Sequence, residues 1–395
     1  MRLRRLLTPL AVMVLAGASV LLSGGGPATG DAQVFEPLLG SGRVAAAEDV
    51  PWDRVGDGWY LAVVDKGSRT DDGWVEPRRE LLELVNPRGG RYEVFETRVR
   101  DGRGSILLVD WSLDAGTALM VVDNGLTTQR ALAVDLRSGA EREVRLPRTV
   151  ADIALRPDGD GLFATTFGSA APGSRRLLTL DWTGVRSVVA TGVGSNVLPS
   201  ADGTQLVSGP TTSSGRALRV LDAATGDVTA RVPLPMGCDP YRWWAPGVVA
   251  ARCWGDHQAI ELWAVPLDGS AATQLSTYHG RRSDDLGDVD ARQLGGLTYL
   301  QATGPCGFEF LARQEADGSA TTVDVPGAVG NVQLVDATDA SLVIQHAVSC
   351  DGGTTRSVLA HFDPAGSTES VMVRLPRNQS FGRILVHGER PVMGF

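Results

Sequence analysis

From residue 57 onward the apolar positions fall in short runs of four to seven, with polar turns interrupting them about every dozen residues. Runs this short, without a sustained 3.6-residue apolar period, read as β-strands rather than helices. One signature recurs: an apolar strand, a turn closing on Gly, and a second apolar strand. The turns are Asn86-Pro87-Arg88-Gly89, Asp135 to Gly139, Asp181 to Gly184, Asp222 to Gly226, Leu267-Asp268-Gly269, Ala316-Asp317-Gly318 and Asp363 to Gly366. Their glycines are spaced 50, 45, 42, 43, 49 and 48 residues apart. Gly supplies the positive φ that closes a hairpin turn, and Asp at the entry accepts a hydrogen bond from backbone two residues on. A second turn precedes several of these by 23 to 25 residues, as at Leu113 to Gly116, Arg156 to Gly159 and Ser200 to Gly203. Each unit therefore reads as a four-strand meander, strands a to d. In the third unit these are about 151–155, 162–167, 177–180 and 185–190.

Strands of this length do not bury both faces within one sheet, and radial stacking of four-stranded sheets solves the problem. Regular repeats of 42 to 50 residues fit that solution better than a β-sandwich or two small β-domains. The first unit is incomplete: Trp59–Val64, Glu80–Leu84 and Arg91–Glu96 serve as strands b, c and d with no a strand before them. Phe381–Val386, left over after the seventh unit, supplies it. The predicted fold class is all-β: a seven-bladed β-propeller of four-stranded antiparallel blades, closed by the C-terminal strand pairing into the first blade. It occupies residues 57–395, behind a linker at 31–56.

The stretches "DWSLDAGTALMVVD" with "LAVDLRSGAEREVRLP", "ALRPDGDGLFATT" and "PSADGTQLVSG" with "LRVLDAATGDVTARVPLP" resemble the WD40-like, or TolB-type, propeller repeat. The likeness covers residues 105–235 well and 238–376 more loosely. It implies the fold and leaves the function open. TolB itself carries an additional N-terminal α/β domain, for which residues 31–56 have no room.

Residues 1–30 read as an export signal. Arg2, Arg4 and Arg5 precede an uncharged apolar run from Leu6 to Ser23, and Ala28-Thr29-Gly30 offers the small side chains a signal peptidase needs. The alternative is an uncleaved anchor, at the short end for a bilayer core of ~30 Å. Removing this segment takes away three Arg and no acid, so the formal charge moves from −9 to −12. An acidic body disfavours nucleic acid and anionic lipid as partners. Contact with a membrane is expected only through an uncleaved N-terminal segment. Export also frames the four cysteines, which are expected to form disulfides rather than a zinc site because no C-x-x-C occurs. Cys238 falls at the start of strand a of the fifth blade and Cys253 at the end of strand b, adjacent across a hairpin. Cys306 and Cys350 fall in b–c connections of neighbouring blades. The expected pairs are Cys238–Cys253 and Cys306–Cys350.

Catalytic machinery is not evident. There is no G-x-S-x-G and no room for a peptidase domain beside the propeller. The histidines (His257, His279, His346, His361 and His387) form no H-x-H or H-x-x-x-H pair, and the acidic run Asp284 to Asp290 lacks EF-hand spacing. The unusual local feature is aromatic. Trp243, Trp244, Trp254 and Trp263 are four of nine tryptophans, joined by Tyr241. Trp263 sits in a c strand and reads as a wedge between blades. The longest inter-blade loop follows, with Tyr278, His279, Arg281 and Arg282. Rigid aromatics beside a few polar groups suit sugar stacking or a protein hot spot. The candidate ligand-binding residues are Tyr241, Trp243, Trp244, Trp254, His257, Tyr278, His279 and Arg281. The expected function is an exported, extracytoplasmic, non-catalytic binding or scaffold propeller for a protein or glycan of the cell envelope. It is expected to be a monomer without a cofactor. The rival is a metal-assisted hydrolase or lyase with its site in the central channel.

Overall fold

Among the described residues the apolar runs become 29 strands in the computed structural model. It describes residues 38–389, except 70–74, 99–104, 124–128, 169–173, 211–214, 255–258, 277–285, 305–307, 329 and 347–355. The first sheet holds β1 (Val44–Ala46), β2 (Tyr60–Arg69), β3 (Val75–Val85) and β4 (Arg91–Arg98). Three four-stranded sheets follow. They are β5 (Ser105–Trp111), β6 (Thr117–Asp123), β7 (Gln129–Asp135) and β8 (Glu141–Arg145); then β9 (Val150–Leu155), β10 (Gly161–Thr166), β11 (Arg176–Asp181) and β12 (Arg186–Thr191); then β13 (Val197–Pro199), β14 (Gln205–Ser208), β15 (Ala217–Asp222) and β16 (Val228–Pro233). An eight-stranded sheet contains β17 (Cys238–Ala245), β18 (Val248–Trp254), β19 (Ile260–Pro266) and β20 (Thr273–Gln274), with β21 (Gly287–Leu294), β22 (Leu297–Thr303), β23 (Glu309–Gln314) and β24 (Ala320–Thr322). The last sheet is β25 (Val332–Ala337), β26 (Leu342–His346), β27 (Val358–Asp363) and β28 (Thr368–Arg374). β29 (Gln379–Val386) returns to the first sheet and pairs antiparallel with β2, Tyr60 opposite Val386 and Lys66 opposite Gln379.

The pairing is antiparallel apart from two short contacts. β1 runs parallel to β4, and β19 meets β21 through the single pair Ile260 and Gly287. That pair joins two four-stranded meanders into the eight-stranded sheet. Successive first strands lie side by side: β5 with β9, β9 with β13, β13 with β17, β21 with β25, β25 with β29, and β29 with β5. The second and third strands of each meander are apolar on both faces because neighbouring sheets cover both. β10 is buried along its whole length, while the fourth strands β8 and β12 are largely exposed. Each core cluster spans two sheets. Val109, Leu119 and Ala131 pack on Ile153, Leu162 and Leu178. Tyr60, Val64 and Phe381 of the first sheet pack on Val343, Leu359 and Val373 of the last.

The turn chemistry holds. Asp135 accepts hydrogen bonds from the Arg137 and Ser138 amides, Asp222 from Ala224 and Thr225, and Asn86 from Arg88 and Gly90. Gly226 has φ +75°, and a Cβ there would strike the Val189 carbonyl of the preceding sheet. Two turns depart from the expectation. The positive φ falls on Ala115 and Ser367 rather than on Gly116 and Gly366.

Residues 38–56, read as linker from sequence, contain β1 and two single 3-10 turns, Ala47–Asp49 and Trp52–Arg54. Val50 is buried against the first two sheets, and the Asn86 side-chain amide donates to the Leu39 carbonyl at 2.9 Å. The export segment 1–30 lies outside the described residues. No described helix is long and apolar enough to cross a membrane.

Cys238 and Cys253 are register partners in β17 and β18 and form a disulfide, with Cα atoms 4.0 Å apart. The expected Cys306–Cys350 pair lies outside the described residues. The Cys238–Cys253 bridge closes 15 residues, so replacing both cysteines by Ser is expected to remove ~3 kcal/mol of stability, mainly by freeing the unfolded chain. Urea unfolding of the double variant against the oxidised parent measures it, and an unchanged midpoint would contradict it.

A buried acid, Glu80, ties the first sheet to the second, and Asp65 stands near it. Glu80 accepts the Ile106 amide at 2.9 Å. Burial pushes Glu80 up to about 7, with the nearby Asp65 charge adding to the effect, and burial pushes Asp65 up to about 6. The folded protein therefore keeps protons that the unfolded chain has released. Stability contributed by these groups is present in acid and declines as pH rises from the ordinary carboxylate range through about 7. Glu80→Gln keeps an acceptor for Ile106 and removes the buried charge. It is expected to raise Tm by a few degrees near pH ~8 and to leave it unchanged near pH ~4.

Candidate functional site

The strand geometry divides the aromatic cluster among three places. β17 and β18 are antiparallel, so Trp243 and Trp244 stand beside the turn that joins them, while Trp254 is at the far end of β18 beyond Cys253. Trp254 is 47% exposed and Tyr241 only 2%. His257, Tyr278, His279 and Arg281 lie outside the described residues. Trp263 packs against the core around β17 to β19, as its c-strand position suggested.

Trp243 and Trp244 line a groove of about 680 Å³ at the end of the molecule formed by the first-to-second-strand turns. Ser200, Asp202 and Gln205 face it from the β13–β14 turn, Ala245-Pro246-Gly247 from the β17–β18 turn, and Leu113 and Gly388 from further round. The Trp243 indole donates to the Pro199 carbonyl at 2.8 Å, which fixes its ring against the preceding sheet. Trp244 carries the Arg242 guanidinium 4.9 Å from its ring centre. The aromatics are thus held rigidly and only in part covered.

Tyr241 belongs instead to a polar cavity of about 510 Å³ between the first strands, lined by four arginines (Arg242, Arg252, Arg292 and Arg383) and three acids (Asp290, Glu309 and Glu389). Asp290 accepts from the Tyr241 hydroxyl at 3.1 Å, from Arg242 Nε at 3.0 Å and from the Ala291 amide at 2.8 Å. Arg292 donates to Glu389 through both terminal nitrogens and to the Val335 carbonyl at 2.8 Å. Its other acidic neighbours are Asp290 at 3.4 Å and Asp336 at 4.0 Å. Burial works to raise Asp290, and the Arg242 and Arg292 charges with the Ala291 amide overcome it, holding the acid below the usual range. Burial wins at Asp336, which is raised despite Arg292. The Tyr241 hydroxyl is raised by burial and by Asp290.

Sequence reasoning missed this network. A signal was present: charged residues interrupt strands whose neighbours are apolar, at Asp110, Asp152, Asp239, Arg242, Asp290, Arg292 and Asp336. The described histidines do not converge. His346 meets Glu369 at 3.2 Å, His361 meets Ser341 at 2.9 Å, and His387 meets the Leu113 carbonyl at 3.2 Å. Among the described residues no three His, Cys, Asp or Glu side chains are grouped to hold a metal ion.

No protein-family model matches the chain, and no curated protein matches it in sequence. Solved structures do resemble it. A prolyl endopeptidase aligns at TM-score 0.51 and 14% identity over 80% of this chain and 50% of its own. TolB from Acinetobacter baumannii aligns at 0.40 and 13%, over 85% and 86%. The Cps50 (Swd1) β-propeller domain of Myceliophteria thermophila aligns at 0.48 and 16%, over 73% and 94%. The chain spans about half the length of the prolyl endopeptidase it matches. At these identities the resemblance, which includes TolB and WD40-type propellers, is one of fold.

Proposed function

We propose that the chain is an exported, non-catalytic binding module: a seven-bladed propeller, closed by its C-terminal strand, that holds a protein segment or a glycan of the cell envelope. Seven blades follow if the eight-stranded sheet is counted as two meanders joined by the Ile260–Gly287 pair. Closure is supported by the adjacency of β29 to both β25 and β5, and by the core that the first and last sheets share. Export is supported by the apolar leader and by the Cys238–Cys253 disulfide, which suits an oxidising compartment.

The observation that carries the binding role is the groove holding Trp243 and Trp244. It is large enough for a ligand segment, its walls are mostly apolar (Leu113, Ala201, Pro246 and Leu267) with a few polar groups from Ser200, Asp202 and Gln205, and Trp243 is pinned before any ligand arrives. Preset rings lose little freedom on binding, which favours affinity. Trp243 and Trp244 are the anchors, and the docking place is the end of the molecule that carries the first-to-second-strand turns. Capture from a native envelope extract tests it, with Trp244→Ala as control. The folded variant is expected to lose the bound species, whose digestion by protease or glycosidase tells protein from glycan. Equal recovery by both proteins removes the reading. The rival, a metal-assisted hydrolase or lyase, requires acids and histidines converging in the channel. Elemental analysis of the purified protein decides it, since a stoichiometric metal would favour the enzyme.

A further inference from the structure

Two of the four channel arginines are neutralised by the protein and two are not. Arg242 and Arg292 share Asp290, Asp336 and Glu389. Arg383 and Arg252 face the same cavity with no carboxylate in ion-pair contact among the described residues. Arg252 spends its Nε–H on the Val289 carbonyl at 2.7 Å and lays its guanidinium 4.6 Å from the Tyr241 ring centre. Arg383 makes no hydrogen bond to a described residue.

The backbone places Arg383 there deliberately. β29 slips register against β2 between Ala62, which faces Ile384, and Val64, which faces Phe381, so Gly382 and Arg383 together stand opposite Val63. A bulge of this kind re-aims a side chain, here into the channel. Gly382 makes it feasible, because a Cβ would press on the Val63 side chain at 3.3 Å. The side chain stands part-buried at the cavity wall. Burial pulls its guanidinium down to about 10; the Asp152 charge opposes this most, the Arg252 charge adds to the fall, and Asp110 opposes it less. Asp110 is committed to the Trp111 and Leu155 amides.

A guanidinium at a cavity wall with no carboxylate in ion-pair contact among the described residues is open to an anion from outside the chain. The remaining walls suit an oxyanion. Gln333 and Gln345 line the cavity, Gln301 being committed to the Val332 and Ala302 carbonyls and the Leu334 amide, and Glu309 adds a buried Oε2 without a hydrogen-bond partner, its acid raised toward the protonated, donor form by burial. Glu389 shows how the channel takes such a group: the C-terminal segment hands its carboxylate to both terminal nitrogens of Arg292. We propose that the channel binds a small anion, whose carboxylate or phosphate group is gripped between Arg383 and Arg252. A guanidinium fork matches either group through paired hydrogen bonds, and a cavity of about 510 Å³ admits a small molecule.

Titration calorimetry on the purified chain in a chloride-free zwitterionic buffer tests this, with succinate and inorganic phosphate as separate probes. Saturable binding of one equivalent is expected for at least one probe, and which probe binds identifies carboxylate or phosphate as the preferred group. The affinity is expected to fall at least tenfold in Arg383→Gln and in Arg252→Gln, and to stay at the parent value in Arg137→Gln, a surface arginine over Trp52. If Arg383→Gln does not fold, Arg252→Gln and Arg383→Lys decide, since Lys keeps the charge and loses the fork. Absence of saturable binding by both probes, or an affinity unchanged in the folded channel variants, overturns the proposal.

Discussion

A chain ending at residue 378 is expected to lose cooperative unfolding altogether. β29 ends the first sheet beside β2, and nothing else among the described residues occupies that edge of β2. Its Phe381, Leu385 and Val386 are buried, joining cores shared with the last sheet and with the second. Burying each such side chain is worth ~1.5–3 kcal/mol. Their sum is comparable with the ~5–15 kcal/mol that holds a typical domain together. The deletion also removes Glu389 and so strips Arg292 of its bidentate partner. Near-ultraviolet circular dichroism and tryptophan emission, followed through a urea titration, should give broad curves that do not coincide. A sharp transition at the parent midpoint would show that the returning strand is dispensable.

Arg292→Met is expected to cost ~3–5 kcal/mol at neutral pH, the range for breaking a buried ion cluster from one side. Met fills similar volume, so the loss comes from charge. Asp290, Asp336 and Glu389 are left with Arg242, which already serves Asp290 and sits 3.8 Å from Glu389. In the parent, Asp290 is held below its ordinary range, so it contributes stability that is present above the unfolded-state value and lost as pH falls through the folded one. Without Arg292 its acid rises and that contribution shrinks, while Asp336, already raised by burial, rises further. The gap between variant and parent should therefore be widest near pH ~7 and narrow near pH ~4, where the stranded acids take up protons. Urea midpoints at both values measure it. An equal loss at both would assign the defect to packing.

The fold was legible because each hairpin is specified locally. A turn such as Asp222 to Gly226 carries its own instructions: a carboxylate that accepts the Ala224 and Thr225 amides, and a Gly where a Cβ would strike Val189. Counting such turns exposed the missing a strand of the first unit, and Phe381–Val386 does pair with β2. The segment 38–56 was opaque for the opposite reason. β1 is three residues long, too short for any period, and its anchors, Asn86 and the Gly40–Gly89 bridge, are about fifty residues away in the chain.

The aromatic cluster misled through proximity in sequence. Trp243 and Trp254 flank one hairpin, yet five residues of strand separate Val249, opposite Trp243, from Trp254, about 17 Å at ~3.3 Å per residue. The polar network around Asp290 and Arg292 was hidden because its members come from β17, β21, β25 and the end of the chain, far apart in sequence.

The union of β2 with β29 also sets an order of events during synthesis. Tyr60 leaves the ribosome 326 residues before its partner Val386, a delay of roughly 16–65 s at ~5–20 residues per second. For that interval the strand Tyr60–Val64, apolar and destined to be wholly enclosed, has an open edge. A strand made early thus waits for one made late, and the first sheet gains its partner for β2 only after the last sheet has been synthesised.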